Sequence, residues 1–166
     1  KIVPHHHRMP RVAQIAVAHR DVDGRHRQRL DLDGINAHAT EAEMVSVARA
    51  EINMRSGPGT GHDVTWMLTR GYPLQVLGRK GQWLRVRDFE SDEGWVFRSL
   101  TGKVPHYVVK AKVANLRSAP SMRGRIVGKA GYGEVLRTLA HRDGWARVRN
   151  EDGLVGWVAR RLLWGW

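Results

Sequence analysis

From residue 47 onward, apolar and polar side chains alternate in short runs broken by Gly, Asp and Pro. A period of two marks strands that bury one face. In "QWLRVR", Leu84 and Val86 fall on one side, and Trp83, Arg85 and Arg87 on the other. "GWARVR" repeats the pattern, with Ala146 and Val148 against Trp145, Arg147 and Arg149. Strands are predicted at about 47–54, 64–69, 73–79, 82–88 and 94–97, then at about 108–116, 125–129, 134–140, 144–149 and 155–158. "GRKGQ" and "HRDG" read as hairpin tips. β-branched and aromatic residues punctuated by Gly argue against helices here. Five strands in a unit of about 55 residues predict a small barrel, which closes its own edges.

The two sets of strands are copies of one unit. Asn53, Arg55, Ser56 and Pro58 match Asn115, Arg117, Ser118 and Pro120. Trp83 matches Trp145, Arg85-Val86-Arg87 matches Arg147-Val148-Arg149, and Gly94-Trp95-Val96 matches Gly156-Trp157-Val158. All of these pairs are 62 residues apart. Gly71-Tyr72 finds a partner in Gly131-Tyr132 at 60, which predicts compensating length changes in loops. The units read as residues 48–103 and 107–163, joined through "TGKVPHY" at Gly102 and Pro105. So short a junction predicts that they touch.

Residues 1–45 differ from the rest. They hold six of the nine His and no Phe, Trp or Tyr, and "VAQIAVA" is their only apolar patch. They read as a largely unstructured extension or an unprocessed segment. One short helix is expected around 39–48, "ATEAEMVSVA". Ala37-His38-Ala39 has the small-x-small form of an export cleavage site, but no apolar core of roughly 7–15 residues precedes it.

Composition narrows the chemistry. The 166 residues include no Cys, so neither disulfides nor thiolate metal sites are available. The formal charge is +12, and residues 107–166, with twelve Lys/Arg and four Asp/Glu, supply most of it. Such a balance invites anionic partners: nucleic acid, acidic lipid or cell-wall polymer. No apolar run approaches the ~18–20 residues needed to span a bilayer.

The order Asn-x-Arg-Ser-x-Pro, Gly-hydrophobic, Gly-x-Trp-x-x-Val and Gly-Trp-Val resembles the bacterial SH3-like domain, SH3b. It occurs twice over residues 48–163, with Asp143-Gly144-Trp145 supplying the third element in the second copy. The resemblance implies an all-β protein of two consecutive small SH3-like barrels after the N-terminal segment. It also implies an exported bacterial protein, periplasmic or extracellular, of a kind often found beside cell-wall hydrolases and thought to bind peptidoglycan or peptides.

The repeated Asn-x-Arg-Ser-x-Pro reads first as shape. Pro58 and Pro120 fix φ near −65°, and Ser56 and Ser118 can bond backbone groups in the turn. A ligand contact by Arg55 and Arg117 is the alternative. "SGPGTG" lacks the Gly-Lys-Ser/Thr of a phosphate loop. "DVDG" and "DLDG" lack calcium ligands and Gly where an EF-hand needs them. "HHH" at 5–7 proposes no fixed metal geometry, and no nucleophile–base pair repeats. Trp95 and Trp157 read mainly as core and wall. Trp164 and Trp166 are expected to tack the C-terminus onto the barrel or the other copy.

The expectation is therefore a non-catalytic module without metal or cofactor, recognising peptidoglycan or its peptides. A protein–protein adaptor for a peptide segment is the alternative. Nucleic acid, resting on charge alone, is disfavoured. The candidate ligand-binding residues are Arg55, Tyr72, Trp83, Arg85 and Arg87 in the first copy, and Arg117, Tyr132, Trp145, Arg147 and Arg149 in the second.

Overall fold

The computed structural model describes residues 42–166. The export-like tripeptide, the "DVDG" and "DLDG" stretches, the "HHH" run and nearly all of the expected unstructured segment lie outside the described residues. The first sheet contains β1 (Met44–Val47), β2 (Glu51–Arg55), β3 (Val64–Thr69), β4 (Pro73–Lys80), β5 (Trp83–Arg87), β6 (Glu93–Phe97) and β7 (Thr101–Gly102). The second contains β8 (His106–Val109), β9 (Val113–Arg117), β10 (Ile126–Gly131), β11 (Val135–Arg142), β12 (Trp145–Arg149), β13 (Val155–Ala159) and β14 (Leu163–Gly165). The strand orders, β3-β2-β6-β5-β4-β1-β7 and β10-β9-β13-β12-β11-β8-β14, are the same topology written twice. A single 3-10 turn, Arg98–Leu100 or Arg160–Leu162, precedes the last strand of each. The all-β architecture of two consecutive SH3-like domains is the one the sequence predicted.

Alternation decides the core. Met54, Leu74, Val86 and Val96 are fully buried, as are Leu116, Leu136, Val148 and Val158 at the equivalent positions. Where the first core has the buried Trp66, the second has Gly128. The Cδ2 of Leu154 lies 2.3 Å from where a Cβ on Gly128 would stand, so a leucine fills the space the indole leaves. The long strands β4 and β11 shift register between Val76 and Gly78 and between Thr138 and Ala140. A bulge bends a strand, and each long strand thereby pairs along its length with two neighbours.

Three expectations need correction. Residues 44–47 form a strand, not part of a helix, and Val45 is buried, so the first module begins before residue 48. Pairing of Met44–Ser46 with β4 overrides their local preference, and residues 39–41 of the expected helix lie outside the described residues. The runs read as single strands at 47–54 and 108–116 are each two strands, broken at residues 48–50 and 110–112. Gly71 is equivalent to Gly133, not Gly131. Both donate to the carbonyl of the residue ending the first strand, Val47 or Val109, at 2.8 Å, and both have positive φ, 84° and 80°. Only glycine enters that region freely, so the turn fixes the alignment at 62 throughout, and Tyr132 corresponds to Arg70 rather than Tyr72.

The modules touch. The ring of Phe89 lies 5.3 Å from that of Tyr132 and 6.3 Å from that of Tyr72. Val135 of the second module packs against the first core.

Candidate functional site: an arginine–tryptophan face and an open cleft

Because Leu84, Val86, Ala146 and Val148 point inward, the intervening Trp and Arg side chains share the outer face, as predicted. Strand register adds their neighbours. Arg85 stands opposite Trp95, and Trp95 opposite Arg55. Arg147 stands opposite Trp157, and Trp157 opposite Arg117. Each outer face thus carries a tryptophan between two arginines drawn from three strands. Trp95 and Trp157 are half-buried rather than core residues. The alternation of buried Gly94 and Val96, or Gly156 and Val158, was the signal that places them outward.

Arg55 and Arg117 are engaged within the fold. Nη1 of Arg55 donates to the carbonyls of Thr60 (3.1 Å) and His62 (2.9 Å). Nη1 of Arg117 donates to those of Met122 (3.1 Å) and Gly124 (2.9 Å). The repeated motif thus writes the same latch twice: an arginine at the end of a strand closes the loop that follows it. Arg87 donates to Oε1 of Gln75 at 2.8 Å. Tyr72 is buried, and burial pushes its phenol well above the ordinary range. It lies in the core, away from any surface ligand. Tyr132 is exposed but occupied at the module junction.

The two modules diverge beside the first tryptophan of each face. In the first, Trp83 stands opposite Phe97, their rings 5.3 Å apart and edge to face. In the second, Trp145 stands opposite Ala159. Beside Trp145 lies an open cleft of about 750 Å³ lined by Tyr107, Trp145, Ala159 and Trp164 with Arg160 and Arg161, and bordered by Met44 and Gln75 of the first module. Trp164 reaches it because β14 pairs with β8, which ties the C-terminus to the second sheet. Tyr107 Oη and His141 Nε2 lie 2.7 Å apart at one flank. Burial, then the Arg160 charge, holds the His141 imidazole below its ordinary pKa.

Charge separates the modules too. Glu43 pairs with both Arg79 and Lys103, the latter at 3.2 Å. The hydrogen bond from Arg79, then that from Lys103, lowers the Glu43 carboxyl below its usual value. In the second module the position of Glu43 is Pro105. Arg160 and Arg161 have no ion-pair partner among the described residues; neither has Arg98, the equivalent of Arg160, so the charge the second module adds here is Arg161 in place of Ser99. Sequence reasoning marked Trp145 but missed Tyr107, Arg160, Arg161 and the role of Trp164, because the cleft depends on the register of β8, β12 and β14.

Comparison with known proteins identifies the two modules. Two models of the bacterial SH3 domain match residues 48–102 and 112–163. The chain carries two bacterial SH3 domains in tandem. It is 26% identical over 140 residues to YrvJ of Bacillus subtilis, named as an N-acetylmuramoyl-L-alanine amidase. That match takes in 74% of this chain and 27% of the relative, so the SH3 chain spans about a quarter of the protein it resembles. Among solved structures, NlpC1 from Trichomonas vaginalis is 17% identical, with a TM-score of 0.33, over 76% of this chain and 48% of its own. An NlpC/P60 family protein from Bacillus cereus is 14% identical, with a TM-score of 0.32, over 75% and 56%.

The relative's name corrects one expectation. The absence of a repeated nucleophile–base pair predicts a non-enzyme. The relative that this chain matches is named as an amidase. A catalytic group need not repeat with the binding modules, so its absence from the repeat had no force.

Proposed function

We propose that the tandem SH3 domains hold a cell-wall hydrolase on bacterial peptidoglycan, and that the wall ligand lies in the cleft beside Trp145. The observation that carries this reading is the exchange of Phe97 for Ala159, which opens in the second module the place the first keeps filled. Trp145 and Trp164 offer flat apolar faces to a sugar ring or a peptide side chain, with the buried Tyr107 beside them. Arg160 and Arg161 offer forked donors, and a guanidinium pairs best with planar carboxylates. Peptidoglycan presents sugars and free peptide carboxylates on one polymer, which matches an aromatic floor with cations beside it. The name of the Bacillus subtilis relative supports the same substrate class. A place in the cell envelope or outside the cell follows from that ligand. No helix among the described residues is long and apolar enough to cross a membrane.

The test is co-sedimentation with purified insoluble peptidoglycan across a salt series, with duplex DNA as competitor. Binding through the cleft predicts pelleting that weakens only partly with salt, since aromatic contacts are not screened. Release by DNA, or pelleting abolished by modest salt, would reduce the interaction to net charge.

A further inference from the structure

On another side of the module junction lies a second cleft, of about 650 Å³, with different chemistry. Its lining includes Arg70 from the first module and His106, Arg137 and Arg149 from the second, with Glu151 as its carboxylate. Arg137 and Arg149 face each other directly across β11 and β12, and His106 faces Arg137 across β8 and β11. Like charges placed directly opposite on neighbouring strands destabilise a sheet. Neither arginine is ion-paired among the described residues.

The first module shows how the same place is built without that conflict. The equivalent pair is Gln75 and Arg87, and they are hydrogen-bonded at 2.8 Å. In the second module the amide is exchanged for another guanidinium, and Arg70 adds a third from the neighbouring module. Arg70 gives one donor to the carbonyl of Ala48 at 3.0 Å and keeps its charge. Three guanidinium groups against one carboxylate leave an excess of positive charge that a single carboxylate ligand would not balance.

We infer that this junction cleft binds a phosphate-class oxyanion, with Arg137 and Arg149 forming its fork and Arg70 closing it from the other module. A tetrahedral, multiply charged group accepts from several guanidinium donors at once, and it removes the repulsion between Arg137 and Arg149. The site is separate from the Trp145 cleft and stands or falls independently of wall binding. Because its residues come from both modules, the anion also clamps the junction.

Thermal melting of the full chain tests this in sodium chloride, inorganic phosphate and polyphosphate at matched ionic strength. Phosphate should raise the Tm of the wild type by roughly 2–5 °C over chloride. R137Q, which rebuilds the Gln–Arg pair of the first module, should melt higher than wild type in chloride and lose the phosphate increment. The double variant R160Q/R161Q should keep it. A larger increment from polyphosphate at equal phosphate concentration would identify a polymer as the source of the group, and an equal one would identify free phosphate. No phosphate increment in the wild type, or the same increment in R137Q, would overturn the assignment.

Discussion

Trp145 and Ala159 face each other on β12 and β13, at the register where the first module sets Trp83 against Phe97. Two modules with one topology thus differ at the point where a ligand could enter. The first closes its aromatic contact and pairs Glu43 with Arg79 and Lys103, whose equivalents are His141 and Gly165. The second leaves Trp145 open and sets Arg161, where the first has Ser99, beside Arg160, the equivalent of Arg98.

The loop latch makes a prediction about stability. Arg117→Ala removes two donors to the carbonyls of Met122 and Gly124, which should cost roughly 1–3 kcal/mol. Arg147→Ala, on the exposed outer face, should stay within about 0.5 kcal/mol of wild type. Denaturant unfolding of both variants checks this, and limited proteolysis should find the 118–125 loop cut faster in Arg117→Ala alone.

Gly156 lies where β13 passes close to β9. A Cβ there would meet Leu116 Cβ at 2.8 Å, Val127 Cγ2 at 3.2 Å and the Arg117 carbonyl oxygen at 3.3 Å. Gly156→Val should therefore destabilise the second module by about 1–3 kcal/mol. Gly144→Ala, where a Cβ meets nothing within 4 Å, should leave the melting curve in place.

Asp88 makes a prediction about the pH dependence of the first module. Burial raises its carboxyl to about 7, opposed by backbone donors from Asp92 and Glu90 and reinforced by those residues' charges. Its Oδ1 accepts both N–H groups, at 2.8 and 2.9 Å, while its buried Oδ2 has no hydrogen-bond partner. The folded pKa lies above the unfolded one, so the native state binds more protons between about pH 4 and 7. Stability must then fall as pH rises through that window and level off above about 7. The equivalent residue of the second module is Asn150, whose Oδ1 accepts the Leu154 N–H at 2.8 Å. Asp88→Asn should keep the loop, flatten the profile and add on the order of 2–4 kcal/mol at pH 8. Unfolding at pH 5 and pH 8 measures it, and parallel curves for the two proteins would exclude Asp88 as the cause.

Much of the fold was legible because it rests on local alternation. Leu84, Val86, Ala146 and Val148 declared their faces in five-residue windows, and so did the arginines between them. What escaped depends on long-range pairing. β1 looked helical because its pairing with β4 lies some 30 residues away. Gly71 was matched to the wrong glycine because Gly131-Tyr132 has the better letters, whereas positive φ belongs to Gly133. The face containing Trp83, Arg85, Trp145 and Arg147 could be read from sequence, but the cleft could not. It takes Ala159 from one strand, Tyr107 from another and Trp164 from the last, and only sheet register brings these together. Tyr72 was misjudged for the same reason: its place in the core is set by packing against Phe89 and the first sheet.

The most direct test restores to the second module the ring that the first one has. Ala159→Phe should set a phenyl group against Trp145 and fill the cleft without disturbing the inward-facing core. A binding isotherm on insoluble peptidoglycan, measured by pelleting at fixed salt, should show at least a tenfold weaker affinity for Ala159→Phe, about 1.4 kcal/mol, with an unchanged or higher melting temperature. A folded Ala159→Phe that pellets with the wall as tightly as the wild type would contradict the assignment of the cleft as the wall-binding site.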